Sequence, residues 1–394
     1  MKKKIMAVVL VLMFCLAMVL YKHLKKIIVI QFLLAIMAFA LFVPKVYVYL
    51  QQTHEWIELP DSIESSVFKK HPNVYFIQPD GYANFSELKK GYYKFDNALF
   101  ETYLSDKKFT FYNGFRSNYT STIFTNSAIF SMKHHYYRYP RDIDINSYDF
   151  RNIIVGNNPV LSIFKANDYK THLLLQQPYF LLNRPKMGYD YCNIDYNDIP
   201  YFSHGFDMNL DVNSELEMLI NQNSKSHNFY VLEKILPSHI AHSDGDSNGI
   251  EEERELYLNR LKEANEWLTN TIEIITSNDP DGLIVICADH GGFVGLKCMD
   301  NSSVKTDDRD ILHSVFTSVL AIKWPDNHTP DYTDELKTSV NLFRVLVSYL
   351  SENETYLNYL EDDKSFSIID TGAPLGVYEV LDEAGHTAFN RSVE

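Results

Sequence analysis

The first fifty residues constrain this chain more than any other segment. Two apolar runs, 5–21 and 27–43, flank a basic break of Lys22-His23-Leu24-Lys25-Lys26, and residues 1–50 contain no Asp or Glu. Each run is just long enough to cross a hydrocarbon core of about 30 Å as a helix. Lys2, Lys3 and Lys4 ahead of the first run also suit a signal peptide, but no small-residue cleavage site follows. The expectation is a membrane anchor of two apolar helices over residues 1–50, either a helical hairpin or a plain anchor. Its orientation is ambiguous on charge alone, because the N-terminus and the break are both basic and cannot both be cytoplasmic if both runs span.

Seven lysines lie in those fifty residues, and the whole chain has a formal charge of −15, so the body carries −22. A body that acidic excludes nucleic acid as a partner, since such binding depends on Lys and Arg neutralising phosphates. With 27 Tyr and 25 Phe it is also far from a disordered composition. Cys192, Cys287 and Cys298, the body's cysteines, match no metal-knuckle or redox spacing and allow at most one disulfide.

After a polar, patternless linker (51–70), short β-rich runs recur at 73–78, 170–175, 228–236, 282–288 and 316–324. Helical patterns lie between them. The clearest is 253–277, where Leu256, Leu261, Ala264, Leu268, Ile272 and Ile275 repeat at helical spacing beneath a charged face. This alternation predicts an α/β body with a mainly parallel central sheet sandwiched by helices.

Ligands in such sheets gather beyond the carboxyl ends of the strands. Two strand ends carry acids followed by glycine there: Pro79-Asp80-Gly81, and Ala288-Asp289-His290-Gly291-Gly292. Aspartate after a strand can simply cap the next helix. An adjacent carboxylate and imidazole, with glycines that allow a ligand close to the backbone, instead form a compact set of oxygen and nitrogen donors.

In order along the chain, the sequence resembles the sulfatase-like branch of the alkaline phosphatase superfamily, and within it the membrane-anchored phosphoethanolamine and phosphoglycerol transferases. The resemblance rests on residues 73–83 around Asp80, on Ser117-Asn118-Tyr119-Thr120-Ser121-Thr122 leading into Asn126-Ser127-Ala128, on Leu236-Pro237-Ser238-His239, on Ala288-Asp289-His290-Gly291, and on Ser339-Val340-Asn341-Leu342-Phe343-Arg344. It implies a catalytic domain over 71–365, a C-terminal extension over 366–394, and Thr122 as nucleophile, with Thr120, Ser121 and Thr125 as rivals. It further implies one divalent cation (Mn, Zn, Mg or Ca) held by Asp80, Thr122, Asp289 and His290. His239 would contact substrate or protonate the leaving group, while Arg116, Asn118 and His242 would bind substrate. His242, Asp244 and Asp246 are also candidates for a second metal, and His313 and His386 for the pocket.

A cation bound to a threonine hydroxyl lowers the energy of its alkoxide, which is otherwise a poor nucleophile. Sulfatases use an oxidised Cys or Ser with proline two residues and arginine four residues later. Here those positions are Phe124 and Asn126, so phosphate esters are favoured over sulfate. The implied activity is hydrolysis or transfer of a phosphate ester on a lipid or cell-surface glycan, with the body outside the cytoplasm at the cell membrane. Two other readings are a sulfuric-ester hydrolase and a non-catalytic, membrane-bound glycan-binding protein.

Overall fold

The computed structural model describes residues 2–51, 57–135 and 150–392, as an N-terminal helical unit and an α/β body. In the first unit, helices Lys2–Leu20 and Leu24–Gln51 are joined by one 3-10 turn, Tyr21–His23. Leu20 (φ −82°, ψ −12°) and Leu24 (φ −50°, ψ −44°) are both right-handed helical, so the chain runs on rather than turning back as a hairpin. The break at 22–26 has no Gly or Pro, and lysine and leucine are good helix formers, so nothing in it forces a reversal. The result is one apolar helical stretch, Val8–Tyr47, long enough to cross a membrane. Its 40 residues would rise about 60 Å at the α-helical spacing.

The body is built on a seven-stranded sheet. In chain order its strands are β1 (Val74–Pro79), β2 (Thr110–Phe111), β3 (Tyr169–Leu175), β4 (Tyr191–Cys192), β5 (His227–Lys234), β6 (Leu283–Cys287) and β7 (Leu320–Lys323), arranged 2-7-6-1-5-3-4. Strands β6, β1, β5, β3 and β4 run parallel, and β7 and β2 add an antiparallel edge. All five runs read from the sequence are strands of this sheet. Every residue of β1 is buried, as expected of a central strand covered on both faces.

Helix Ile250–Asn278 buries Tyr257, Leu261, Ala264, Leu268, Ile272 and Ile275. Leu256, expected on this stripe, is exposed, and its neighbour Tyr257 takes the core position. The nominal linker is packed from about residue 61 onward. Asp61 pairs with the buried Arg344 at 2.7 Å, and Phe68 sits edge-on to Phe164 and Tyr169; residues 52–56 of that linker lie outside the described residues. At the other end, β8 (Ser365–Ile369), β9 (Gly376–Leu381) and β10 (Thr387–Arg391) form a second, antiparallel sheet. All four cysteines are free.

Candidate active site

Asp80 follows β1 and Asp289-His290 follows β6, and these strands are hydrogen-bonded neighbours, so both loops open at one edge of the sheet. Gly81 adopts φ +71°, and a Cβ there would lie 2.3 Å from the Ser238 carbonyl oxygen. The turn that aims Asp80 therefore needs glycine. Gly291 and Gly292 serve a different end from the one expected. Added Cβ atoms would strike the Ser314 oxygen and the Tyr257 ring at 2.2 Å, so these glycines let the protein pack against itself.

Thr122 opens the helix Thr122–Ser131. Gln78, on β1, donates to Asn126 Oδ1 at 2.9 Å, and Asn126 Nδ2 donates to the Thr122 carbonyl at 2.9 Å, tying this helix start to the central strand. The helix N-terminus directs free backbone N–H groups and the positive end of its dipole to the same place.

The four groups meet around His290 Nε2, which lies 3.5 Å from Asp80 Oδ1, 3.3 Å from Asp289 Oδ2 and 3.3 Å from Thr122 Oγ1. His290 Nδ1 is 2.8 Å from the Gly291 carbonyl, which can only accept, so Nδ1 donates there and Nε2 is the ring nitrogen turned toward the carboxylates and Thr122. Asp80 Oδ1 and Asp289 Oδ2 are buried without a hydrogen-bond partner. An imidazole nitrogen and two carboxylate oxygens within 4.8 Å of one another form a mixed set of nitrogen and oxygen donors that suits a divalent cation. Burial, and then the Asp289 carboxylate, push the Asp80 carboxyl well above its ordinary range, while Arg260 opposes the shift.

A cavity of about 780 Å³ opens over these groups. Asp80, Thr122, His239, His242 and His290 line it, with Phe124, Tyr179 and Phe206 among its apolar walls. His239 is held by Nδ1 donation to the Ile240 carbonyl at 2.6 Å. Burial, and then His290, lower its pKa to about 4. His239 is thus a neutral ring with an acceptor Nε2, suited to take a proton rather than to give one to a leaving group. His242 is on the rim, its side chain 75% exposed and 3.9 Å from Asp300.

The overall fold matches known structures. The C-terminal periplasmic domain of EptC from Escherichia coli aligns at a TM-score of 0.51 and 12% identity, over 82% of this chain and 96% of that one. A 4S-sulf protein from Bacteroides thetaiotaomicron, tied to the metabolism of multiple glycosaminoglycans, aligns at a TM-score of 0.50 and 10% identity, over 82% and 89%. The chain shares the fold of these two proteins. No family model and no curated protein matches the sequence.

Within this body some expected residues fall elsewhere. Arg116 does not line the cavity: its guanidinium donates to the Asp363, Asp382 and Glu383 carbonyls. Asn118 is likewise spent on Lys364, Ser339 and Val340. Both side chains hold the C-terminal segment to the body, and neither is free for substrate. His313 bonds Thr317 and the Gly385 carbonyl, and the exposed His386 faces Asp382. Asp244 pairs with Lys297 at 2.6 Å and Asp246 accepts from Ser243, so the acidic loop expends its charges locally.

The sequence reading missed Glu233, at the end of β5. It is only 1% exposed, and neither carboxylate oxygen has a partner. Burial, then Asp80 and Asp289, raise its pKa well above the ordinary value. A lone acid closing the apolar run Phe229-Tyr230-Val231-Leu232 was the available signal. Also missed was the cavity wall formed by Ser302, Ser303, Ser367 and Asp370, half of which comes from the C-terminal sheet region.

Proposed function

We propose that this chain is a membrane-anchored, cation-dependent enzyme that hydrolyses or transfers phosphate esters, using Thr122 as its nucleophile. One observation carries the reading: the buried oxygens of Asp80 and Asp289, without hydrogen-bond partners, face His290 Nε2 beside the Thr122 hydroxyl. Asp80, Thr122, Asp289 and His290 would hold one divalent cation (Mn, Zn, Mg or Ca). When bound, such an ion stabilises the threonine alkoxide and neutralises charge on the phosphoryl oxygens.

Thr122 Oγ1 attacks phosphorus as its proton passes to solvent. A Thr–O–P bond forms, and the ester oxygen departs with the bonding electrons. The amides at the start of the helix Thr122–Ser131 bind the phosphoryl oxygens. In the second half, a water or an acceptor alcohol gives its proton to His239 Nε2 and displaces Thr122 from phosphorus.

The substrate class is a phosphate ester on a lipid or cell-surface glycan, reached by a body held at the cell membrane and facing away from the cytoplasm. We assign residues 1–50 to the anchor and 71–365 to the catalytic domain, and we count 366–394 with that domain because Ser367, Ile368 and Asp370 line the cavity. The test is turnover of an aryl phosphodiester by the purified chain with Mn²⁺, Zn²⁺ or Mg²⁺. Equal turnover by wild type and Thr122→Ala removes the threonine from its role, and turnover of an aryl sulfate alone supports the sulfuric-ester alternative.

A further inference from the structure

The loop between β4 and the helix Val212–Gln222 exposes aromatic rings where a soluble surface would not keep them. Tyr201 is 82% and Phe202 89% exposed, and their rings meet edge to face at 5.0 Å. Four residues on, Phe206 is 56% exposed, yet it also lines the catalytic cavity and stacks on Tyr179, another lining residue, at 5.3 Å. Singly exposed apolar residues are ordinary, but three exposed aromatic rings in one short loop, one of them also lining a cavity, mark a surface that meets something.

The loop is also built. At its base Arg184 donates to the Ile199 carbonyl at 3.1 Å, and at its turn the Gly205 amide donates to Ser203 Oγ at 2.9 Å while that hydroxyl bonds Asp207. These bonds tie the loop backbone at Ile199 and at Gly205, on either side of the outward rings.

We propose that loop 200–206 seats the catalytic body on a lipid bilayer. Tyr201 and Phe202 enter the boundary between headgroups and acyl chains, and Phe206 with Tyr179 lines the path from that boundary to Thr122. Aromatic rings, tyrosine's with a polar tip, favour this zone of a membrane. The chain itself carries an apolar helix long enough to cross a bilayer, so a membrane is a surface it has at hand. A second copy of the chain fits less well, because a stable protein interface buries about 800 Å² on each side, more than this small loop presents. The proposal rests on the phosphate-ester reading for the identity of what travels along the path, but seating itself does not depend on catalysis.

Two measurements on the full chain, reconstituted in phosphatidylcholine–phosphatidylglycerol vesicles, decide it. Phe202→Trp supplies a fluorescent reporter, with the wild-type chain as background. Seating predicts blue-shifted emission that acyl-chain-brominated lipid quenches. Water-like, unquenched emission overturns the proposal, and so does a blue shift that grows with protein density without quenching, which means self-association.

The second measurement compares Tyr201→Ser/Phe202→Ser with wild type on a vesicle-borne lipid phosphodiester and on a soluble aryl phosphodiester. The variant is expected to lose about tenfold on the lipid, as removal of two interfacial rings implies, and nothing on the soluble ester. Equal loss on both, or on neither, overturns the proposal. If wild type turns over neither substrate, the phosphate-ester reading fails and the quenching result still decides whether the loop sits in lipid.

Discussion

The Gly81 amide donates to Asp289 Oδ1 at 3.1 Å, a bond between loops 208 residues apart that commits one oxygen of that carboxylate and leaves Oδ2 bare beside His290. The bond fixes which oxygen faces the site. A cation that binds this arrangement in the folded state alone stabilises it by mass action, about 2.7 kcal/mol at a hundredfold excess over its dissociation constant. Denaturant unfolding of wild type with and without Mn²⁺ or Zn²⁺ should show a shift of that order. Asp289→Asn keeps an acceptor for Gly81 but loses the charge, and should show almost none; an undiminished shift in the variant would place the cation elsewhere.

Gly81 is the hinge on which Asp80 turns. Its positive φ and the 2.3 Å approach to the Ser238 oxygen leave no space for a side chain, and the loops are clasped further by Ser238 donating to the Asp80 carbonyl at 2.8 Å. Gly81→Ala is expected to lower stability by about 1–3 kcal/mol from backbone strain alone and to weaken cation binding, because Asp80 must shift. The urea midpoint and a cation titration report the two effects separately. An unchanged midpoint would mean that the clasp yields at no cost.

Much of this was legible in the sequence, for reasons that also explain what was not. β1, β3, β5 and β6 announce themselves because a strand buried on both faces reads as an apolar run. Asp80 and Asp289-His290 stand out because they end such runs. β2 and β4, of two residues each, carry too few positions for any pattern, and β8 to β10 mix serines, acids and aromatics as sheets with a wet face do. The direction of a side chain is a tertiary fact, and Arg116 and Asn118 show it: both lie close to Thr122 in sequence, yet both reach instead for carbonyls or hydroxyls of the chain beyond residue 338. The sequence leaves a hairpin and a plain anchor both open at the N-terminus, because a basic break can be a turn while lysine is as comfortable in a helix as outside one.

Glu233 ties stability to pH. Its carboxyl is raised well above the ordinary 4.5 by burial and by Asp80 and Asp289, so the cation-free folded chain keeps a proton there that the unfolded chain has released. Unfolding then sheds that proton, and stability falls as pH climbs above the unfolded value, by as much as about 1.4 kcal/mol per pH unit until the folded group itself ionises. Glu233→Gln removes this slope. The variant should match wild type near pH 4 and exceed it at pH 7 to 8, as read by chemical denaturation in chelator. A variant less stable than wild type at pH 8 would mean that the ionised carboxylate has a favourable partner.

In the proposed mechanism His239 sets the acid limit of turnover. With Nδ1 committed to the Ile240 carbonyl and its pKa lowered to about 4 by burial and by His290, its Nε2 is a free acceptor throughout the neutral range. A base is active only when unprotonated, so its contribution is present above pH 4 and lost as the pH falls through that value. The pH profile of kcat/KM on an aryl phosphodiester should therefore lack a limb near 6.5, where an unperturbed histidine titrates. Removing a positioned base costs about 10²–10⁴-fold, and His239→Gln, which cannot take up the proton, should lose turnover on that scale. The loss should fall on release of phosphoryl from Thr122, so that mass spectrometry of the quenched variant shows the Thr122 adduct accumulating. A full-size limb at 6.5 that vanishes in His239→Gln would mean that the ring titrates as it does in water and that burial does not govern its proton.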